Sequence, residues 1–168
     1  EAAEFTFDGA VALDDSLNAA LSLNRLDRAG QIGVNVALAP EANTLTLDIT
    51  AEEPENGIAA TLLDLPGRPA LNLSVQGDGP LDDFTADVLL ASDGVERLAG
   101  QVTLRGQSDG AQAFAADIGG DLTALLLPQA RDFLGDDVQL VVEGESAADG
   151  SLTLDALSVR AAAVRLNG

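Results

Sequence analysis

The chain lacks the side chains on which most enzymes and metal sites depend. Its 168 residues contain no histidine, cysteine, tyrosine, tryptophan or methionine, and all eight basic residues are arginine. These absences remove the commonest general base, the thiol nucleophile, lysine Schiff-base chemistry and most zinc sites. Serine is present, but without histidine or lysine nothing obvious would activate it. The composition therefore predicts a protein that is not an enzyme and that carries no cofactor and no metal.

Carboxylates are the remaining candidates for chemistry, since they occur in adjacent pairs at positions 14–15, 52–53, 82–83 and 136–137. A glycosidase needs two carboxylates that face each other across a sugar cleft, normally with aromatic platforms. Each of these pairs instead falls at a strand edge or in a turn, where neighbouring side chains point apart. The oxygen-rich stretch 77–79, followed by Asp82 and Asp83, suits calcium. It lacks the spacing of an EF-hand loop or a nonapeptide repeat.

Positive charge is scarce, with 28 acidic residues against 8 basic ones and a net charge of −20. This balance argues against nucleic acid as a partner, since a phosphate backbone needs a basic footprint. It also argues against adsorption to an anionic membrane surface. Yet the chain is 46% hydrophobic, with a mean hydropathy of +0.17. Both facts hold together only if apolar and polar residues alternate locally, so that each element has an apolar face and a charged face.

Alternation with a period of two is the dominant pattern. It is cleanest at 44–50, where Leu45, Leu47 and Ile49 alternate with polar residues, and it recurs in about a dozen runs from Phe5 to Leu166. Strict alternation predicts strands with one buried and one solvated face, as in antiparallel sheets. Asp-Gly pairs at 8–9, 93–94, 109–110 and 149–150 predict tight chain reversals. Short strands at this spacing are typical of a sandwich, a barrel or an open β-groove.

Two stretches depart from this pattern and predict short amphipathic helices. In the first, residues 58, 62 and 65 are apolar and Pro66-Gly67 ends the helix. The second begins at Asp121 as N-cap and ends at Gly135. Pro128 interrupts the second stretch, so we expect two helical pieces or a kink, with Pro128 near the first turn of the second piece. Helices of this kind in a β chain most simply plug an open end of a sheet.

The apolar strand face is the one candidate functional surface that remains. A closed hydrophobic core and an open trough both fit the alternation, because periodicity cannot tell them apart. The candidate groove residues are the apolar positions of the alternating runs: Phe5, Phe7, Val34, Val36, Leu45, Leu47, Ile49, Leu71, Leu73, Val75, Val88, Leu90, Val102, Leu104, Phe114, Ile118, Val138, Leu140, Val142, Leu152 and Leu154.

Three stretches resemble the TamB family of translocation and assembly module subunits. They are residues 66–84 (PGRPALNLSVQGDGPLDDF), 91–100 (ASDGVERLAG) and 120–135 (GDLTALLLPQARDFLG), and the resemblance extends over residues 56–168. Phe84 stands where tryptophan is common in the family, and Leu134 where a second phenylalanine is common. The shared motifs consist of turns and apolar spacing, and no catalytic residues exist to transfer.

The resemblance implies a fold and a role for the parent protein. TamB-like proteins are AsmA-like bridge proteins with one inner-membrane helix and a long periplasmic β-trough. They work with TamA, an outer-membrane barrel, and are thought to carry phospholipid between membranes or to aid outer-membrane protein assembly. The resemblance thus implies phospholipid and a TamA-like barrel as partners, and the periplasm of a Gram-negative bacterium as the location.

We therefore expect residues 1–168 to be a single β-rich segment of a larger, inner-membrane-anchored periplasmic protein, with no internal domain boundary. The expected fold is mainly β: an elongated antiparallel sheet curled into an open groove or trough, with one or two short amphipathic helices. An alternative from another class is a structural or adhesive β-module of an exported protein, which bound calcium would stabilise.

Overall fold

The chain forms one antiparallel sheet of eleven strands, in a computed structural model that describes residues 4–108 and 110–168. About 60% of the chain is strand, and the sheet is open and curled, which confirms the expected mainly β fold. Each strand pairs with the next in sequence, so the order in the sheet is the order in the chain. The strands are β1 (Phe5–Leu13), β2 (Leu17–Arg25), β3 (Gln31–Ala39), β4 (Thr44–Glu53), β5 (Leu71–Pro80), β6 (Asp83–Ser92), β7 (Val95–Gly106), β8 (Gln112–Gly120), β9 (Val138–Ser146), β10 (Leu152–Arg160) and β11 (Arg165–Asn167).

The up-and-down order divides the connections between two rims of the sheet. The helical rim holds connections 26–30, 54–70, 93–94, 121–137 and 161–164, and the turn rim holds 14–16, 40–43, 81–82, 107–111 and 147–151. Both long connections therefore lie on the same rim. At strand spacings of about 4.8 Å the sheet measures about 48 Å from β1 to β11, and strands of nine residues give it a width of about 30 Å.

The first helical prediction is confirmed in a shorter form, as α1 (Ile58–Leu62) between β4 and β5. The carboxylate of Glu53, at the end of β4, accepts hydrogen bonds from the backbone N–H of Ile58 (3.1 Å) and of Ala59 (2.8 Å). These two donors are among the N–H groups that a helix start leaves unpaired. Ala60 is buried and anchors the helix. Asp64, with φ of 50°, ends the helical conformation before Pro66 is reached.

The second helical stretch consists of two pieces, as predicted: a 3₁₀ turn at Thr123–Leu125 and α2 (Pro128–Leu134), which has Pro128 at its start. Gly135 ends α2 with φ of 73°, also as predicted. The prediction of Asp121 as N-cap is wrong, because Leu122 holds that position. Asp121 instead accepts a hydrogen bond from the N–H of Thr123, two residues on (2.8 Å). Among the described residues no helix has the length and apolarity to span a bilayer.

The Asp-Gly predictions have mixed outcomes. Asp93 and Gly94, with φ of 50° and 76°, form the tight turn between β6 and β7, and the pair 149–150 lies in the reversal between β9 and β10. The pair 109–110 falls in the β7–β8 connection, where Asp109 lies outside the described residues. The turn predicted at Asp8-Gly9 is wrong, because both residues lie inside β1. There the ring of Phe7 and the side chain of Leu21 occupy the space beside Gly9.

The sheet does not close over a conventional hydrophobic core. Its accessible surface is 10086 Å², against about 7,800 Å² for a compact monomer of 17.1 kDa. Few large side chains among the described residues are fully buried, and Phe84 is the largest of them at 2% exposure. Most apolar strand residues are half-buried, and those of β1 are exposed. Of the two arrangements that periodicity leaves open, the structure has the open trough.

Candidate functional site: an open apolar trough

All 21 candidate groove residues lie on one face of the sheet, which we call the inner face. The pairing register shows this, since directly paired residues share a face. One row runs Val34, Ile49, Val75, Val88, Gly100, Ile118 and Leu140 across seven neighbouring strands. The remaining candidates fall in parallel rows on either side, from Phe5 and Phe7 on β1 to Leu152 and Leu154 on β10.

The inner face also includes apolar residues outside the candidate set. Some belong to alternating runs that the sequence makes visible, as in β2, where Leu17, Leu21 and Leu23 line the face. Leu157 and Val159 are different, because a β-bulge shifts the register of β10 between Leu154 and Ala156. A bulge inserts one residue and so reverses the parity of the alternation. Simple counting from Leu154 therefore places these two side chains on the wrong face.

Charge is nearly absent from the inner face. Among strand residues with a register partner, the charged side chains there are Arg25 and Glu53, both at the helical rim. Both are held by hydrogen bonds, since Glu53 accepts from the N–H groups of Ile58 and Ala59, and Arg25 donates two hydrogen bonds to Asp27 (2.6 and 2.8 Å). The hydrogen bond from Arg25 lowers the pKa of Asp27 and raises the pKa of Arg25. The middle of the face is thus apolar throughout.

Glycines reveal that the inner face is the concave one. By the register, seven of the nine strand glycines lie on this face, at positions 9, 77, 79, 100, 106, 120 and 144. A Cβ added at Gly77 would lie 2.6 Å from the backbone oxygen of Thr85 on the next strand, and one at Gly100 would collide with backbone of β8. Such close approach on one side means that the sheet bends toward that side. The apolar rows therefore line the inside of a trough.

Inner-face side chains are most buried near the turn rim of the central strands, where Phe84 is 2% exposed. Phe84 pairs with Leu104, which pairs with Phe114, so these three side chains form a continuous row across β6, β7 and β8. The ring of Phe84 lies over Gly77, where an added Cβ would be 2.6 Å from Cζ, and the ring of Phe114 lies over Gly144. The rings thus fill space that the glycines leave open. At the flanks, on β1 and β10, the same face is exposed.

The outer face carries the polar half of each strand. One row places an amide opposite a carboxylate at each step from β3 to β8, in the order Asn35, Asp48, Gln76, Asp87, Gln101 and Asp117. Gln101 donates to Asp87 at 2.8 Å and Gln76 donates to Asp48 at 3.4 Å. Like charges directly opposite each other destabilise a sheet. In this lysine-free chain, Asn and Gln therefore separate the carboxylates of neighbouring strands. They do so by hydrogen bonding, without neutralising the charge.

The paired carboxylates are not brought together into a site. Glu52 lies on the outer face beside Gln31 while Glu53 lies on the inner face. In two of the other pairs one member forms an ion pair, Asp83 with Arg105 (3.2 Å) and Asp137 with Arg160 (3.3 Å). In the described part of the chain no three acidic residues cluster in a way that could hold a metal ion.

The stretch that suggested calcium is also spread out. Residues 77–79 lie within β5, where Asp78 accepts a hydrogen bond from Thr46 (2.7 Å), and Asp82 lies in the turn that follows. These positions leave no shared oxygen cage.

The chain was compared with models of protein families, with curated proteins and with solved structures, and none of the three comparisons gave a match.

Proposed function

We propose that this chain is a periplasmic groove module of a TamB-like envelope protein, in which the inner face shields phospholipid acyl chains between the inner and outer membranes. The observation that supports the proposal is the trough itself: a concave apolar surface with charge only at its helical rim, whose rows run across the sheet and are half-buried or exposed over most of their length. The role is physical rather than catalytic. The parent protein would be anchored in the inner membrane, would act with a TamA-like outer-membrane barrel, and would support outer-membrane assembly.

The energetics of such a conduit follow from the cost of exposing an acyl chain to water. That cost is about 0.8 kcal/mol for each methylene, so ten exposed methylenes cost about 8 kcal/mol. A bilayer already buries these groups, and the trough needs only to offer a comparable environment along the way. Half-buried Leu, Val and Ile rows do this without binding the chain tightly, which is what passage along a groove requires. Head groups remain in water beyond the rims.

Photocrosslinking tests the proposal with controls that differ by one strand position. A photoreactive residue at Leu47 or Val102 lies on the inner face, whereas one at Thr46 or Thr103 lies on the outer face of the same strands. We expect phospholipid adducts at the two inner positions and about tenfold fewer at the two outer ones, because the sheet separates the faces. Equal adducts at all four positions, or none at the inner positions, would contradict the proposal.

A charge placed in the trough provides a second test. Val75 and Ser74 are neighbours on β5 with side chains on opposite faces. Val75→Asp places a carboxylate among apolar rows. An acyl chain lying there would remove water from the carboxylate, which is unfavourable, so the variant should no longer hold acyl chains. We expect Val75→Asp to abolish the recovery of co-purified phospholipid in native mass spectrometry, and Ser74→Asp to leave it unchanged. Circular dichroism checks that both variants keep their strand content.

The structural or adhesive module remains the alternative, and calcium distinguishes the two. The groove proposal expects a melting temperature that is the same with calcium and with a chelator, because no group of three acidic residues in the described ranges is placed to bind a metal. A melting temperature that rises sharply with calcium would favour the alternative.

A further inference from the structure

The arginines are distributed very unequally between the two rims. Seven of the eight lie in connections of the helical rim or in the strand ends beside them, and the eighth, Arg105, lies at the turn rim, where it pairs with Asp83. The seven are Arg25, Arg28, Arg68, Arg97, Arg131, Arg160 and Arg165. The net charge of −20 conceals this distribution, since acidic residues occur throughout the molecule.

Among the described connections, exposed large apolar side chains occur at the helical rim, whereas at the turn rim they are confined to strand ends such as Leu13 and Leu152. In the connections of the helical rim, Leu62 and Leu63 are 82% and 65% exposed, and Leu127 and Phe133 are about half exposed. Leu26 and Ile58 are exposed there as well. The described connections of the turn rim consist mainly of Asp, Asn, Ser, Ala and Gly, and none of them carries an exposed large apolar residue. The helical rim thus combines guanidinium groups with apolar side chains that the rest of the chain leaves uncovered.

This combination fits the interface of a phospholipid bilayer. Apolar side chains beside long cationic ones can enter the acyl boundary while the guanidinium groups stay at the level of the phosphates. Arginine pairs with phosphate through two parallel hydrogen bonds. Arg25 and Arg28 already pair with Asp27, and Arg160 pairs with Asp137, so the phosphate contacts fall to the other rim arginines, Arg68 and Arg131 among them. We propose that the helical rim docks on a phospholipid bilayer, with Leu62, Leu63, Leu127 and Phe133 as the inserting side chains. This proposal rests on the proposed lipid-shielding function and adds the side from which acyl chains would enter the trough.

Three observations favour a bilayer over a protein partner. The two helices have five and seven residues, so neither offers the extended apolar face that a partner helix would pack against. Helices α1 and α2 lie in the β4–β5 and β8–β9 connections, about 19 Å apart at ordinary strand spacing. The helical rim therefore offers two separate apolar contacts rather than one continuous surface. Arg131 donates to the backbone oxygen of Leu126 rather than to a carboxylate (3.1 Å). Its charge is thus left for an external anion.

The net charge of the helical rim determines which lipid composition is suitable for a binding experiment. Twelve acidic residues accompany the seven arginines at and beside the helical rim, so an anionic surface would repel the rim as a whole. Phosphates in a zwitterionic bilayer remain accessible to individual guanidinium groups. Flotation with phosphatidylcholine vesicles is therefore the direct experiment, and we expect the protein to float.

Matched variants locate the contact. The double variants Leu62→Ser/Leu63→Ser and Leu127→Ser/Phe133→Ser should each weaken vesicle binding about a hundredfold, since each removes two inserting side chains and burial of one such side chain accounts for a factor of about ten. Leu89→Ser removes an exposed leucine from the outer face and should leave binding unchanged. Arg68→Gln/Arg131→Gln should weaken binding several-fold.

A fluorescence measurement keeps the test independent of folding defects. The chain contains no cysteine, so Leu63→Cys labelled with an environment-sensitive dye reports a single position. We expect a blue shift on addition of vesicles, and no shift from the same dye at Ser74→Cys on the outer face.

The docking proposal is overturned if the protein does not float, if it floats equally well in both double variants, or if the rim leucines instead mediate self-association in sedimentation experiments. Photocrosslinking at Leu47 with detergent-dispersed phospholipid tests the groove without any bilayer. Adducts at Leu47 in a protein that does not float would therefore overturn docking alone, whereas the absence of adducts would overturn the groove proposal.

Discussion

The two faces of the sheet differ more than the faces of most antiparallel sheets. The inner face is apolar, concave and glycine-rich, whereas the outer face carries rows of Asp, Glu, Asn, Gln and Thr. In a sandwich the apolar face would be covered by a second sheet. Here the accessible surface of 10086 Å², well above the about 7,800 Å² of a compact monomer, reflects the missing second layer.

The difference also explains how a chain with a mean hydropathy of +0.17 tolerates a charge of −20. Nearly all of the charges within the strands lie on the convex side, where curvature spreads neighbouring side chains apart and water surrounds each carboxylate, and the other charges lie in the connections. Apolar rows occupy the concave side, where the same curvature brings them together. Curvature toward the apolar side therefore reduces apolar exposure and charge repulsion at once.

Truncation of the most buried inner-face ring should have the largest effect on stability. Phe84 is 2% exposed and Phe7, on the same face, is 68% exposed. We expect Phe84→Ala to lower the free energy of unfolding by about 3 kcal/mol, because it removes a buried ring and leaves Gly77 uncovered. Phe7→Ala should cost less than about 1 kcal/mol, as exposed positions do. Urea unfolding of both variants measures the difference, and equal losses would mean that the inner face is uniformly buried.

A charge added to the outer face should have a smaller, salt-dependent effect. Gln76 lies between Asp48 and Asp87, so Gln76→Glu places three carboxylates side by side. We expect a loss of about 1 kcal/mol at low ionic strength, much of it recovered in high salt because exposed charges are screened. Gln76→Ala is the control, because it removes the amide without adding charge and should show little salt dependence. If the two variants respond equally to salt, the amide–carboxylate row does not separate charge as described.

The smallest effect concerns carboxylates that belong to neither face. Hydrogen bonds from the hydroxyl and N–H of Thr123 lower the pKa of Asp121, and those from Ser151 lower the pKa of Asp149. An aspartate whose pKa is lower in the folded state contributes stability above its unfolded pKa of about 3.9. It loses that contribution as the pH falls through the folded pKa.

Asp121→Asn should therefore be less stable than the native chain at pH 7, and the difference should shrink on acidification below about pH 4. Protonation of the other acidic residues affects both proteins alike and cancels in the comparison. Urea unfolding at several pH values measures the difference in free energy of unfolding between the two proteins. A difference that does not change with pH would contradict the expectation.

The strands and their faces were largely predictable from the sequence. Alternation with a period of two survives in any antiparallel sheet, so Leu45, Leu47 and Ile49 share a face whatever the strand order. The errors arise where local signals compete with pairing. Asp8-Gly9 has the composition of a turn, yet Gly9 lies in β1 because its missing side chain makes room for Phe7 and Leu21. At β10 the bulge reverses the parity without any distinctive residue type.

The rims were not predictable in the same way. Arg28, Arg68 and Arg131 are widely separated in sequence, and only the strand order brings them to one rim. Likewise, Leu62 and Phe133 are apolar residues of amphipathic helices that composition alone would place in a core. Whether a helix covers apolar surface or is left exposed depends on the curvature of the sheet beneath it, which follows from many residues together. The openness of the trough escapes sequence patterns for the same reason.

The unbroken neighbour-to-neighbour order of the strands has a consequence for how the chain folds. Each described strand pairs only with the strands that precede and follow it in sequence, so most loops to be closed are short and the entropy cost of closing them is modest. Such a chain behaves as a nearly one-dimensional array, in which stability is a sum of hairpin and nearest-neighbour terms and folding can start at any well-formed hairpin and spread outward. A β protein of this kind escapes the slow, long-range pairing that limits sandwiches.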